Sequence, residues 1–105
     1  MTEIRLGIAG LGTVAQGVLE LIRRNHVLMQ QRSGVSLRVV RVASRRAKPE
    51  VDLQGAQFST EIKDLMTDPD VDIILELIGG DSDALKLIRG EQKKKKPVVT
   101  ANKAI

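Results

Sequence analysis

The sequence predicts an α/β fold, a doubly wound parallel β-sheet in three layers with helices on both faces. Three observations carry this. Short apolar runs alternate with stretches of helical spacing. The connections between runs are long enough for the right-handed crossovers that parallel neighbours need. Each apolar run also stops at a turn-forming group: Gly10 to Gly12, Ser44 to Arg46, Ile78 to Gly80, and Thr100 to Lys103.

Taken in order, Ile4 to Ala9 reads as a short apolar strand, and beyond the glycines Val14, Val18, Leu21 and Ile22 recur at the spacing of one helix face. A polar stretch with Ser33 and Gly34 precedes a second strand, Ser36 to Ala43 (SLRVVRVA), which runs into the basic loop Ser44, Arg45, Arg46. Pro49 and Gly55 mark irregular chain. Ser59 or Thr60 caps a short helix with Glu61 in its first turn, and Asp68-Pro69-Asp70 closes it. Val71 to Ile78 (VDIILELI) is a buried strand stopped by Gly79-Gly80. A helix from about Ser82 to Arg89 follows, with Leu85, Leu87 and Ile88 as core, then Lys93 to Lys96 as a solvated turn, and Pro97 opens a last strand through Thr100.

Composition narrows the functional classes. The 105 residues, 42% hydrophobic, suffice for one core, so residues 1–105 are expected to form one domain. No run reaches the roughly 18 to 20 apolar residues of a membrane span, and Met1 to Leu6 lacks the pattern of a signal peptide, so a cytoplasmic protein without a membrane partner is expected. With no cysteine there is neither a disulfide framework nor a thiolate metal site, and no metal is expected. Seventeen Lys and Arg against thirteen Asp and Glu suit an anionic ligand. Nucleic acid is not expected, because Phe58 is the sole aromatic residue and stacking platforms need more.

In a doubly wound sheet, ligands sit beyond the carboxyl ends of the strands, where strand order reverses. The string Gly10-Leu11-Gly12-Thr13-Val14-Ala15 follows the first strand and opens a helix. Gly10 allows the tight turn, Gly12 lets backbone approach a pyrophosphate, and Ala15 lets the helix pack closely on the strand. Free N–H groups and the helix dipole then favour the phosphates. Taken alone, such a string fits any glycine-rich turn. Its place between a strand and an amphipathic helix makes it the fingerprint of a Rossmann-type dinucleotide site.

The end of the second strand bears on which dinucleotide binds. A NAD site usually places Asp or Glu there for the ribose hydroxyls. This chain has Ser44, Arg45 and Arg46, and a guanidinium pairs with a 2′-phosphate, so NADP is favoured with NAD tolerated. The alternative is that these arginines merely solubilise a loop.

These residues also carry a resemblance. "GLGTVAQGV" at Gly10 to Val18, "LELIGG" at Leu75 to Gly80 and "VVTANKA" at Val98 to Ala104 make the whole chain similar to the N-terminal nucleotide-binding domain of homoserine dehydrogenase. That family interconverts L-aspartate 4-semialdehyde and L-homoserine by hydride transfer with NAD(P)H, in threonine and methionine biosynthesis. The resemblance implies cofactor contacts at Gly10, Leu11, Gly12, Thr13 and Val14, at Arg45, at Gly79, and at Thr100 and Lys103 beside the nicotinamide, with Asn102 ordering that loop. It implies an incomplete sheet, a homo-oligomeric parent, and a catalytic and substrate-binding part beyond Ile105, so the fragment is expected to hold no catalytic residue and to bind cofactor without turnover. Two departures stand out: Ala15 where the family often has Gly, and "RGEQKKKKPVV" in place of a short turn. The alternative is a stand-alone or regulatory NADP(H)-binding module.

Two other residues are singled out. Glu76, inside a buried strand, reads as a polar anchor, since a lone carboxylate makes no acid–base pair. His26 reads as a helix-surface residue, because nothing near it completes a constellation.

Overall fold

The structure, a computed structural model, describes residues 2–78 and 97–100, with Thr100 described by its backbone alone. The elements run β1 (Thr2–Ala9), α1 (Thr13–Ser33), β2 (Val35–Ala43), β3 (Gln57–Ser59), α2 (Lys63–Thr67), β4 (Ile73–Glu76) and β5 (Val98–Thr100). They form one sheet in the order β3-β2-β1-β4-β5, with every neighbouring pair parallel. Strand order reverses between β1 and β4, the place where a doubly wound sheet opens a crevice. The predicted α/β class holds.

Alternation along β1 sorts the core into two layers. Leu6 and Ile8 face α1 and pack with Leu11, Ala15, Leu19 and Ile22. Ala9 faces the other way and packs with Leu65 and Met66 of α2 and with Ile74. Gly7 shares that second face, where a Cβ would stand 2.9 Å from Leu65 Cδ2 and 3.0 Å from Val71 Cγ1. Its missing side chain is what lets α2 close on the sheet.

A register shift opposite Leu6 and Gly7 re-phases β2: Leu6 pairs with Val39 and Gly7 with Arg41, so Val40 is the extra residue of a bulge. Arg41 Nε thereby donates to Asp68 Oδ2 at 2.7 Å, at the C-terminus of α2. At the start of the sheet Arg5 grips the chain entering β4, donating through its backbone N–H at 2.8 Å and its Nε at 3.2 Å to Asp72 Oδ2.

Several expectations need correction. The buried stripe of α1 is Ala15, Leu19 and Ile22, flanked by half-buried Val18, while Val14 and Leu21 are exposed. The buried face is set by the small Ala15, which packs with Leu6 and Ile8 of β1 and leaves the neighbouring Val14 outside. The chain before α2 contains β3, a strand of three residues whose QFS sequence is too short to show periodicity. Neither Ser59 nor Thr60 caps α2: its N-cap is Ile62, and Ser59 instead donates its hydroxyl to Asp64 in the first turn. The second strand starts at Val35, and the strand expected over Val71 to Ile78 contracts to Ile73–Glu76. Asp68 does end α2, and Gly34, at φ +70, ends α1 with its N–H on the Gln30 carbonyl at 2.9 Å. His26 is exposed, as expected. The helix expected at Ser82 to Arg89 and the run Lys93 to Lys96 lie outside the described residues. Among the described residues no helix is long and apolar enough to cross a membrane.

Candidate functional site

The site begins where β1 stops. Gly10 turns the chain with φ +107, and its N–H donates to the Ala43 carbonyl at 2.7 Å, which ties the turn to the end of β2. A Cβ there would lie 3.1 Å from Ile78 Cγ1 and 3.3 Å from the Ile78 backbone. Gly12 differs. It is the N-cap of α1 in ordinary extended backbone, φ −83, and among the described residues a Cβ on it would meet nothing within 4 Å beyond its chain neighbours. Conformation and contact require the first glycine; the second keeps a surface bare.

Among the described residues no side chain caps α1, and its first turn holds no acidic residue. The leading N–H groups of a helix have no intrahelical acceptor and carry the positive end of its dipole. No acidic residue of the first turn opposes that charge, which suits an anion. Ala15, fully buried, allows the close approach of α1 to the sheet.

Two further strand ends meet this turn. Ser44 follows β2 and donates its N–H to the Ser59 carbonyl at 3.0 Å, joining the ends of β2 and β3. Arg45 beside it is exposed and forms no ion pair among the described residues. On the other flank the Leu77 N–H continues the ladder to the Ala9 carbonyl at 2.9 Å. The next N–H, of Ile78, donates to Glu76 Oε2 at 2.7 Å. Glu76 is wholly buried, an anchor as its position in the sequence suggested.

A hollow of about 290 Å³ lies among these ends. Among the described residues, Gly10, Leu11 and Gly12 line it together with Ser44, Arg45, Ile62, Leu77 and Ile78. Thus Gly10, Leu11, Gly12 and Arg45 are brought together as expected. Thr13 and Val14 lie exposed in the first turn of α1, outside this lining, and Arg46 is exposed beyond it. Thr100 ends β5 in register with Glu76, on the same carboxyl edge of the sheet. Gly79, Asn102 and Lys103 lie outside the described residues. Ile62 and Leu77 were not anticipated. Ile62 reaches the hollow from the chain after β3, a strand the sequence pattern did not reveal.

The family described as "Homoserine dehydrogenase, NAD binding domain" matches residues 10–105. The chain belongs to that family. Among curated relatives, homoserine dehydrogenase of Pseudomonas aeruginosa is 36% identical over 105 residues, covering 100% of this chain and 24% of its own length. That of Bacillus subtilis is 39% identical, covering 98% and 24%. Among solved structures, homoserine dehydrogenase from Thiobacillus denitrificans superposes with a TM-score of 0.84 at 41% identity, covering 99% of this chain and 24% of that one. The S. aureus homoserine dehydrogenase gives 0.86 at 27% identity, covering 100% and 27%. The chain therefore spans about a quarter of the length of these relatives, and it corresponds to the NAD(P)-binding domain of homoserine dehydrogenase.

Proposed function

We propose that this chain forms the cofactor-binding part of an enzyme that interconverts L-aspartate 4-semialdehyde and L-homoserine, and that it binds NADP(H) in preference to NAD(H). One observation carries the reading: the start of α1, Gly12 and Arg45, which among the described residues have no side-chain cap, no contact at a Cβ and no ion pair respectively, border one hollow at the point where strand order reverses. These residues fit a dinucleotide. Gly10 to Gly12 and the first N–H groups of α1 would hold the pyrophosphate, and Arg45, with Ser44, would meet a 2′-phosphate. Ile62 offers an apolar wall for the adenine. Thr100 and Lys103 remain the residues proposed beside the nicotinamide, and Gly79 and the first-turn pair Thr13 and Val14 are proposed as further cofactor contacts.

When bound, NADPH supplies the hydride that the reaction adds to the aldehyde carbon. Hydride transfer also needs a positioned substrate and a proton source, so the 105 residues are proposed to bind cofactor without turnover. The test is a fluorescence titration of the chain with NADPH and with NADH, paired with an assay for homoserine oxidation. Saturable binding, tighter for NADPH and without turnover, is expected. Absent binding would remove the cofactor reading, and clear turnover would remove the division of labour.

A further inference from the structure

Glu76 stands where β4 leaves the sheet. Along β4 the N–H of Ile74 faces β5 and donates to the Pro97 carbonyl at 3.0 Å, while that of Leu77 faces β1 and donates to Ala9 at 2.9 Å. By this alternation the Ile78 N–H points back toward the β5 side. The Glu76 carboxylate takes it instead, at 2.7 Å, from two residues upstream. A carboxylate wholly removed from water is costly unless it is hydrogen-bonded, so an apolar residue would serve a plain strand better. The carboxylate at this position has a geometric result: it fixes the main chain of Ile78 at the exit of the strand.

That main chain is part of the crevice. The backbone N and Cα of Ile78 lie 3.3 Å from where a Cβ of Gly10 would be, which makes Ile78 the surface on which the Gly10 turn rests. The Gly10 N–H in turn holds the Ala43 carbonyl, next to Ser44 and Arg45. Both Ile78 and Gly10 line the hollow. We infer that Glu76 is a positioning residue for the dinucleotide site, acting as a hydrogen-bond acceptor that sets Ile78 and, through Ile78, the Gly10 turn. The inference rests on the reading of the hollow as the cofactor site.

Two variants of the full chain separate geometry from charge. E76Q keeps the side-chain length and an acceptor oxygen but loses the charge; E76D keeps the charge but withdraws the acceptor by one methylene. Each is titrated with NADPH by fluorescence, and the Ile78 amide resonance is followed by NMR as a direct report on the hydrogen bond. E76Q is expected to bind within about threefold of the parent chain, whereas E76D is expected to lose roughly tenfold or more, with the Ile78 amide shifted upfield. A residue that served stability alone would change the melting temperature and leave the affinity of the folded protein untouched. Equal affinities for all three proteins would overturn the inference, as would the reverse order, with E76Q weak and E76D normal. If E76D does not fold, the near-isosteric E76Q still decides, since loss of affinity with an unmoved Ile78 amide contradicts the proposed role. Failure of the parent chain itself to bind NADPH would overturn the cofactor reading and this inference with it; normal parent binding with unaffected variants overturns the inference alone.

Discussion

Gly10 and Ile78 are packed so closely that a methyl group on Gly10 would come within 3.1 Å of the Ile78 side chain and 3.3 Å of its backbone. Gly10 also holds φ +107, a conformation that side chains resist. Gly10→Ala is therefore expected to destabilise the fold by about 1–3 kcal/mol, through strain and contact together. Thermal unfolding checks this, with a fall of several degrees expected; a variant that melts with the parent chain would contradict the packing.

Gly12→Val should behave in the opposite way. With φ −83 and nothing among the described residues within 4 Å of a Cβ there, Gly12 is expected to tolerate a side chain, so the helix signal in circular dichroism should persist. The valine would project from the turn into the space where a pyrophosphate has to approach, and NADPH affinity should fall at least tenfold. Normal affinity in the folded variant would remove this turn from the ligand site.

Arg45→Ala should weaken NADPH more than NADH. A charge-assisted hydrogen bond to a phosphate is worth about 1.5–3 kcal/mol, or roughly ten- to hundredfold, and NADH has no 2′-phosphate. Arg46, exposed and outside the lining of the hollow, is the control. Equal losses for both cofactors would assign Arg45 to structure, and a larger discrimination at Arg46 would transfer the role.

The Arg41–Asp68 pair is expected to matter for stability and not for binding. The two side chains are only 20% and 12% exposed, and Arg41 also donates to Gln57 Oε1 at 2.9 Å, so the guanidinium joins β2, β3 and the end of α2. Arg41→Ala should cost about 2 kcal/mol, since it leaves a partly buried carboxylate short of a donor. Denaturant unfolding would measure the loss, and NADPH affinity of the folded variant should stay within a factor of about two.

Acid should loosen α1. The hydrogen bond from Arg23, with the charges of Arg23 and Arg24, holds the Glu20 carboxyl below its ordinary value of 4.5. A carboxyl whose pKa is lowered by folding stabilises the native state above its unfolded value, and that contribution disappears as pH falls through the folded one. An acid titration of helicity should therefore show a component below pH 4.5 that is absent in Glu20→Gln. Identical titrations for the two proteins would contradict it. The Glu20 side chain is about half exposed, so solvent screens the pair and the effect is small.

Local chemistry carried much of this protein into view. A short apolar run marked β1, the run SLRVVRVA marked β2, Asp68-Pro69-Asp70 marked the end of α2, and the spacing of Gly10, Gly12 and Ala15 between strand and helix pointed to the crevice, because each depends on residues close in sequence. The basic loop Ser44 to Arg46 was legible for the same reason, standing just past a strand where a carboxylate is usual, and the family resemblance picked out Arg45 within it.

Tertiary structure decided the rest. Which face of α1 is buried depended on what packs against Ala15, and the short β3 exists only because Arg41, Val42 and Ala43 offer it a ladder. The two crevice glycines look alike in sequence, yet only the neighbour at Ile78 shows that Gly10 is required by contact and φ, while at Gly12 no described residue crowds a Cβ, which fits the proposed space for a pyrophosphate. Ile62 belongs to the same class, since it reaches the hollow only through the sheet order β3-β2-β1-β4-β5, and although the Glu76–Ile78 bond is local, only the packing of Ile78 against Gly10 ties it to the hollow. The sequence by itself determined the elements and the chemistry each can offer; which groups share one hollow follows from long-range packing, which no local pattern encodes.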